Sequence, residues 1–194
     1  MAVSLDTFDS QTGIHPRNKQ LPCKRLSTAG LNVAYGLKDY PKNGPFPVDI
    51  KVEPLPDPNG RLYVEITYDQ PFTWNPTETE GFYVCTNSDL TNFCNGGWQK
   101  VCLLIIFKSL LTTSEFMLRK KINFKSLQLP SGMVLETSEN YLKFEVVGET
   151  AFAASAIAYL WETTPVLGTE ALPIYASDEY RLPGAPWWHR LYEY

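Results

Sequence analysis

Two stretches of this chain keep a strict two-residue alternation, and that pattern limits the fold more than any other feature. Val48, Ile50 and Val52 alternate with Asp49, Lys51 and Glu53; Leu62, Val64 and Ile66 alternate with Tyr63, Glu65 and Thr67. In an extended strand successive side chains point to opposite faces, so each stretch has one apolar and one wet side. Asp57-Pro58-Asn59-Gly60 between them is a strong turn sequence, and the pair reads as a β-hairpin. Further strand candidates at 81–85, 101–107, 141–147 and 156–161 extend the pattern. Residues 48–161 are therefore expected to form an antiparallel sandwich or barrel. With 44% hydrophobic and 20% charged residues, the chain has the composition of a packed globular protein.

The first forty residues follow a different rule. Residues 1–5 (MAVSL) read as a short strand, and a polar loop runs through Gln11, Thr12 and Gly13. A helix is expected from about Asn18, with Leu26, Ala29, Gly30, Val33 and Ala34 on one face. Pro22 is tolerated only in its first turn, where no backbone hydrogen bond is lost. Gly36 suits the helix C-terminus, where a residue at positive φ is wanted. Strand, loop and helix make one α/β unit, and a single unit cannot bury its own faces. The proline-rich segment 40–47 marks the expected boundary between residues 1–40 and 41–194. Residues 168–194, rich in proline and aromatic residues, are expected to pack as an irregular tail.

Several function classes are set aside. A net charge of −4 argues against a nucleic-acid or anionic-membrane partner. Arg119-Lys120-Lys121 is short enough to be a solvated element end. The start of the chain lacks signal-peptide features, with Asp6 and Asp9 interrupting any apolar core. The apolar run 101–107 is far below the roughly 20 residues of a membrane span. Four cysteines without a CxxC pair, beside only two histidines, argue against a structural zinc site. No phosphate loop or dinucleotide fingerprint occurs, so no cofactor is expected. Gly-x-Ser-x-Gly, Gly-Asp-Ser and Gly-Gln-Ser are all absent, which leaves the chain without a recognisable serine nucleophile.

His15 is the remaining candidate for chemistry. It stands in a loop after a strand and just before a helix, where α/β enzymes place reacting groups. Its setting, Ile14-His15-Pro16-Arg17-Asn18-Lys19-Gln20, followed by Arg25-Leu26 and then Ala34-Tyr35-Gly36, resembles the catalytic-histidine block of sialate O-acetylesterases. Met1 to Asp6 is similar to the strand before that block. Gly44-Pro45, Ala158-Tyr159-Leu160-Trp161, Leu172-Pro173-Ile174-Tyr175, Leu182-Pro183 and Pro186-Trp187 resemble later parts of the family in collinear order. The segment from Cys85 to Trp98 matches a cysteine-containing region of the family. Residues 101–128 have no counterpart there, as an insertion or a gene-model artefact would look.

The resemblance implies the C-terminal strand–loop–helix of an SGNH-type α/β/α hydrolase domain in 1–40, followed by an antiparallel, sandwich-like accessory domain. It implies O-deacetylation of sialic acids, with O-acetylated sialic acid or a sialoglycan as substrate and a lysosomal or secreted location. His15 would be the general base, while the serine and most of the oxyanion hole come from earlier segments of the family fold. The missing N-terminal half of the enzyme would be the protein partner, and this chain alone would be inactive. The SGNH pattern has an aspartate three residues before the histidine, where this chain has Thr12; Asp9 and Asp6 are the nearest orienters, and a Ser–His dyad is equally open. The family's secretory habit implies a Cys85–Cys94 disulfide. The alternative from another class is a non-catalytic, β-rich sugar-binding or structural module.

Overall fold

The computed structural model describes residues 2–7, 17–53, 61–75, 81–85, 98–105, 131–147, 154–160 and 172–191. Among these residues one helix, α1 (Gln20–Tyr35), precedes ten strands: β1 (Pro47–Val52), β2 (Arg61–Tyr68), β3 (Phe72–Trp74), β4 (Phe82–Cys85), β5 (Trp98–Ile105), β6 (Ser131–Thr137), β7 (Tyr141–Val147), β8 (Ala156–Tyr159), β9 (Ile174–Ala176) and β10 (Trp187–Arg190). Eight strands form one sheet in the order β1-β2-β7-β6-β5-β4-β8-β10, and β3 pairs with β9 in a second. Every pairing is antiparallel except β5 with β6.

The expected hairpin is present, with Val52 opposite Val64 and Ile50 opposite Ile66. In β2 the alternation is strict: Leu62, Val64, Ile66 and Tyr68 are buried, while Tyr63, Glu65 and Thr67 face outward and are only partly covered. β7 supplies Leu142, Phe144 and Val146 to the same core. Val48 departs from the expectation of a dry β1 face. The register slips between Pro47 and Asp49, so Val48 is the extra residue of a bulge and its side chain is 64% exposed.

β5 joins the two halves of the large sheet. Its residues 98–101 pair with β4 and its residues 102–105 with β6. In a flat sheet β4 and β7, three strand spacings apart, would lie about 14 Å from each other. Instead Phe82 of β4 and Phe144 of β7 have ring centroids 5.0 Å apart. The sheet therefore folds over, and its halves face each other across a core that also holds Tyr159 and Trp187. Of the segment without a family counterpart, 101–105 belong to this strand; 106–128 lie outside the described residues.

Three expectations are corrected. Residues 2–7 form coil and a turn, with the Thr7 N–H donating to the Ser4 carbonyl, because no described strand lies alongside them to build a ladder. The tail is not irregular throughout: β9 pairs with β3, and β10 pairs with β8 at the edge of the large sheet. The helix turns a different face inward than its apolar spacing predicts. Arg25, Thr28, Ala29 and Asn32 are buried, whereas Leu26 and Val33 are exposed. Hydrogen bonding sets that face: Asn32 Nδ2 donates to the Tyr40 carbonyl and Arg25 reaches across to the N-terminal segment.

The helix ends follow the sequence. The Asn18 side chain accepts from the Gln20 N–H, and Pro22 falls in the first turn. Gly36 has φ of 71°, and its own N–H donates to the Asn32 carbonyl, the five-to-one bond of an αL cap.

Candidate active site

Asp6 and Arg25, on the two sides of the segment that contains His15, form a buried charged cluster. Arg25, on the inward face of α1, places its guanidinium on Asp6 as a fork: Nη1 to Oδ1 at 2.5 Å and Nη2 to Oδ2 at 2.7 Å. The same Nη1 donates to the Val3 carbonyl at 3.0 Å. From β9, the Tyr175 hydroxyl donates to Asp6 Oδ2 at 2.9 Å and accepts from the Leu172 N–H at 3.0 Å. Both charged residues are 6% exposed. A planar guanidinium matches a carboxylate in two parallel bonds, the strong form of this contact. Burial, and then the neighbouring Asp6 charge, push the Tyr175 hydroxyl well above the ordinary tyrosine range, so it stays protonated and a donor.

Asp6, one of the two nearby carboxylates named as orienters of the imidazole, is bonded through both oxygens to Arg25 and through Oδ2 to Tyr175. His15 and Asp9 lie outside the described residues, as does Thr12. In the sequence Arg25 and Tyr175 stand out only within stretches that resemble the family, 25–26 and 172–175. The second histidine, His189, is on β10, in the large sheet.

Cys85 is disulfide-bonded, and Cys23 on α1 is a free, exposed thiol. In the β4–β5 ladder Cys85 stands opposite Trp98 and Phe82 opposite Val101. Cys102 is thus four residues along from Cys85, about 13 Å away at strand rise. A disulfide needs Cα atoms within roughly 7 Å. Cys94, the other candidate, lies outside the described residues.

A cavity of about 120 Å³ opens beside the cluster, lined by Val3, Arg25, Lys42, Gly44 and Pro183 among others. Ligand clefts begin at roughly 300 Å³, so it is too small for a sugar ring with its substituents. Among the described residues no group of three or more His, Cys, Asp or Glu side chains is set to hold a metal ion. No helix among them is long and apolar enough to cross a membrane.

Against known proteins, a segment of 92 residues, 46% of the chain, is 37% identical to sialate O-acetylesterase of Mus musculus. The chain is similar to part of that esterase. The matched segment spans 16% of the mouse protein's length. No family model matches the chain.

Proposed function

We propose that this chain is part of a sialate O-acetylesterase-like carbohydrate esterase that removes O-acetyl groups from sialic acids. The 37% identity over 92 residues to the mouse esterase carries this reading, and the block from Ile14 to Gln20 gives it a chemistry. In it His15 is the general base. Its neutral imidazole takes the proton from a serine hydroxyl supplied by another segment of the enzyme. The serine oxygen attacks the acetyl carbon, and backbone N–H groups hold the tetrahedral oxyanion. The imidazolium then protonates the departing sugar oxygen, and water releases acetate from the acyl-enzyme by the same sequence in reverse. Asp6 is held by Arg25 and Tyr175, and Asp9 is the nearby carboxylate proposed to orient His15, against a Ser–His dyad.

Residues 1–40 are proposed as the end of the hydrolase domain and 41–194 as its β-rich accessory domain. We pair Cys85 with Cys94. The bonded state of Cys85, the free Cys23 and the distant Cys102 support that pairing. A structural disulfide in turn supports a lysosomal or secreted location.

The test treats the purified chain with a fluorophosphonate probe and an acetyl ester, alone and joined to a serine-bearing segment of the esterase. The chain alone is expected to be inert and the joined protein active and labelled. Labelling of the chain alone would mean it has its own activated nucleophile. A joined protein that binds sialoglycans without cleaving them would favour the sugar-binding module.

A further inference from the structure

The Asp6–Arg25–Tyr175 cluster brings together three parts of the chain that the sequence separates widely. Asp6 lies one residue before the end of the described segment that leads into residues 8–16; Arg25 is in the second turn of the helix that follows them; Tyr175 comes from β9, which pairs with β3. Resting on the proposed role of His15, we infer that Tyr175 is a positioning residue: by clamping Asp6 against Arg25, it fixes both flanks of the segment carrying the general base.

The geometry gives the clamp its direction. The Arg25 fork holds the segment before His15 to the helix after it, and a third bond, to the Val3 carbonyl, fixes that segment along its length. Those bonds close the flanks on each other. Leu5 beside them packs on the β-rich core, and Tyr175 adds a directional polar tie to the same part. Its hydroxyl is itself held by the Leu172 N–H, so it has a single proton to give and gives it to Asp6. The tight seating of Gly44 on the 182–183 backbone adds a further attachment on the same side. A catalytic base displaced by about 1 Å can lose on the order of a hundredfold in rate, which is the penalty such a clamp prevents.

Amide hydrogen exchange on the full 194-residue chain reads the clamp directly. In Tyr175→Phe, which removes the donor and keeps the ring, the Thr7 and Cys23 amides should exchange about tenfold faster, the loss of one hydrogen bond to a charged group. Amides of β2 and β7 should be unchanged. Arg25→Lys, which keeps the charge and removes the fork, should give the same local signature. Unchanged exchange at Thr7 and Cys23, or uniform acceleration reaching β2, would overturn the clamp. In the enzyme joined to its serine-bearing segment, Tyr175→Phe should lower kcat about tenfold with KM unchanged; an unchanged kcat would overturn the positioning role. If His15→Ala left that enzyme fully active, the reading of His15 would fail, while the exchange result would still stand or fall separately.

Discussion

Gly44 sits against the Pro183 carbonyl so closely that a Cβ built on it would lie 1.9 Å from the oxygen. Beside this contact the Ala185 N–H donates to the Pro45 carbonyl at 3.1 Å, and the Phe46 and Asp69 main chains are linked in the same way at 2.9 Å. The proline-rich segment between the helix and the first strand is thus seated on the C-terminal tail. Gly44→Ala should therefore be destabilising by about 2 kcal/mol or more, because the obstacle is backbone and cannot rotate away. Chemical denaturation of the two proteins checks it; equal midpoints would show that the tail shifts freely.

The exposed apolar side of α1 leads to the opposite expectation. Leu26→Glu and Val33→Glu should each change the stability of this chain by no more than about 0.5 kcal/mol, since neither side chain is buried. Arg25→Met, by contrast, leaves the Asp6 carboxylate buried without its charge partner and should cost about 3 kcal/mol or more. Thermal melts of the three variants decide whether the polar or the apolar face holds the helix.

Much of this fold can be read from the sequence where one side of an element is wet. β2 is such a case: its alternation is strict because Tyr63, Glu65 and Thr67 meet solvent, and Glu65 takes Lys143 of β7 at 2.6 Å. β4 and β8 are buried along their whole length, so they carry apolar runs without alternation, and their order in the sheet was not legible. The short strands β3 and β9 hold three residues each and leave no periodic trace. The helix misled for a different reason. A hydrophobic pattern finds the apolar stripe, whereas the inward face here is fixed by a buried ion pair whose partner lies 19 residues away. Of the candidate site, His15 lies outside the described residues, and the Asp6–Tyr175 contact spans 169 residues and leaves no local trace in the sequence.

The disulfide is open to mass spectrometry. Protein produced in an oxidising compartment should yield a peptide linking Cys85 to Cys94, with Cys23 alkylated. The closed loop is short, so replacing both bridged cysteines by serine should cost about 2–3 kcal/mol in the chain-entropy model. A Cys85 peptide linked to any other cysteine would contradict the pairing.

Alkaline pH should unfold the chain cooperatively. Burial pushes the hydroxyls of Tyr68, Tyr159 and Tyr175 upward, so the folded state keeps them protonated where the unfolded chain would ionise them. A raised folded pKa contributes stability that is fully present below pH 10 and is lost as pH rises above it. Each such tyrosine should add a slope of about 1.4 kcal/mol per pH unit above pH 10. Absorbance titration near 295 nm should show Tyr68, Tyr159 and Tyr175 ionising only with unfolding. Smooth ionisation of all of them before any loss of structure would contradict their burial.

The most direct test of the proposed function is the rate of sialic acid O-deacetylation by the enzyme joined to its serine-bearing segment, with and without His15→Ala. A neutral imidazole with a pKa of roughly 6.5 can accept a serine proton at neutral pH, which lysine and arginine side chains cannot do. Loss of that base should lower kcat by about a thousandfold or more while the melting temperature stays unchanged, as for other members of such catalytic units. Asp9→Asn measured alongside separates a triad, with a large loss, from a dyad, with little. Near-full activity in His15→Ala at an unchanged melting temperature would contradict the assignment of this segment as the catalytic-histidine block.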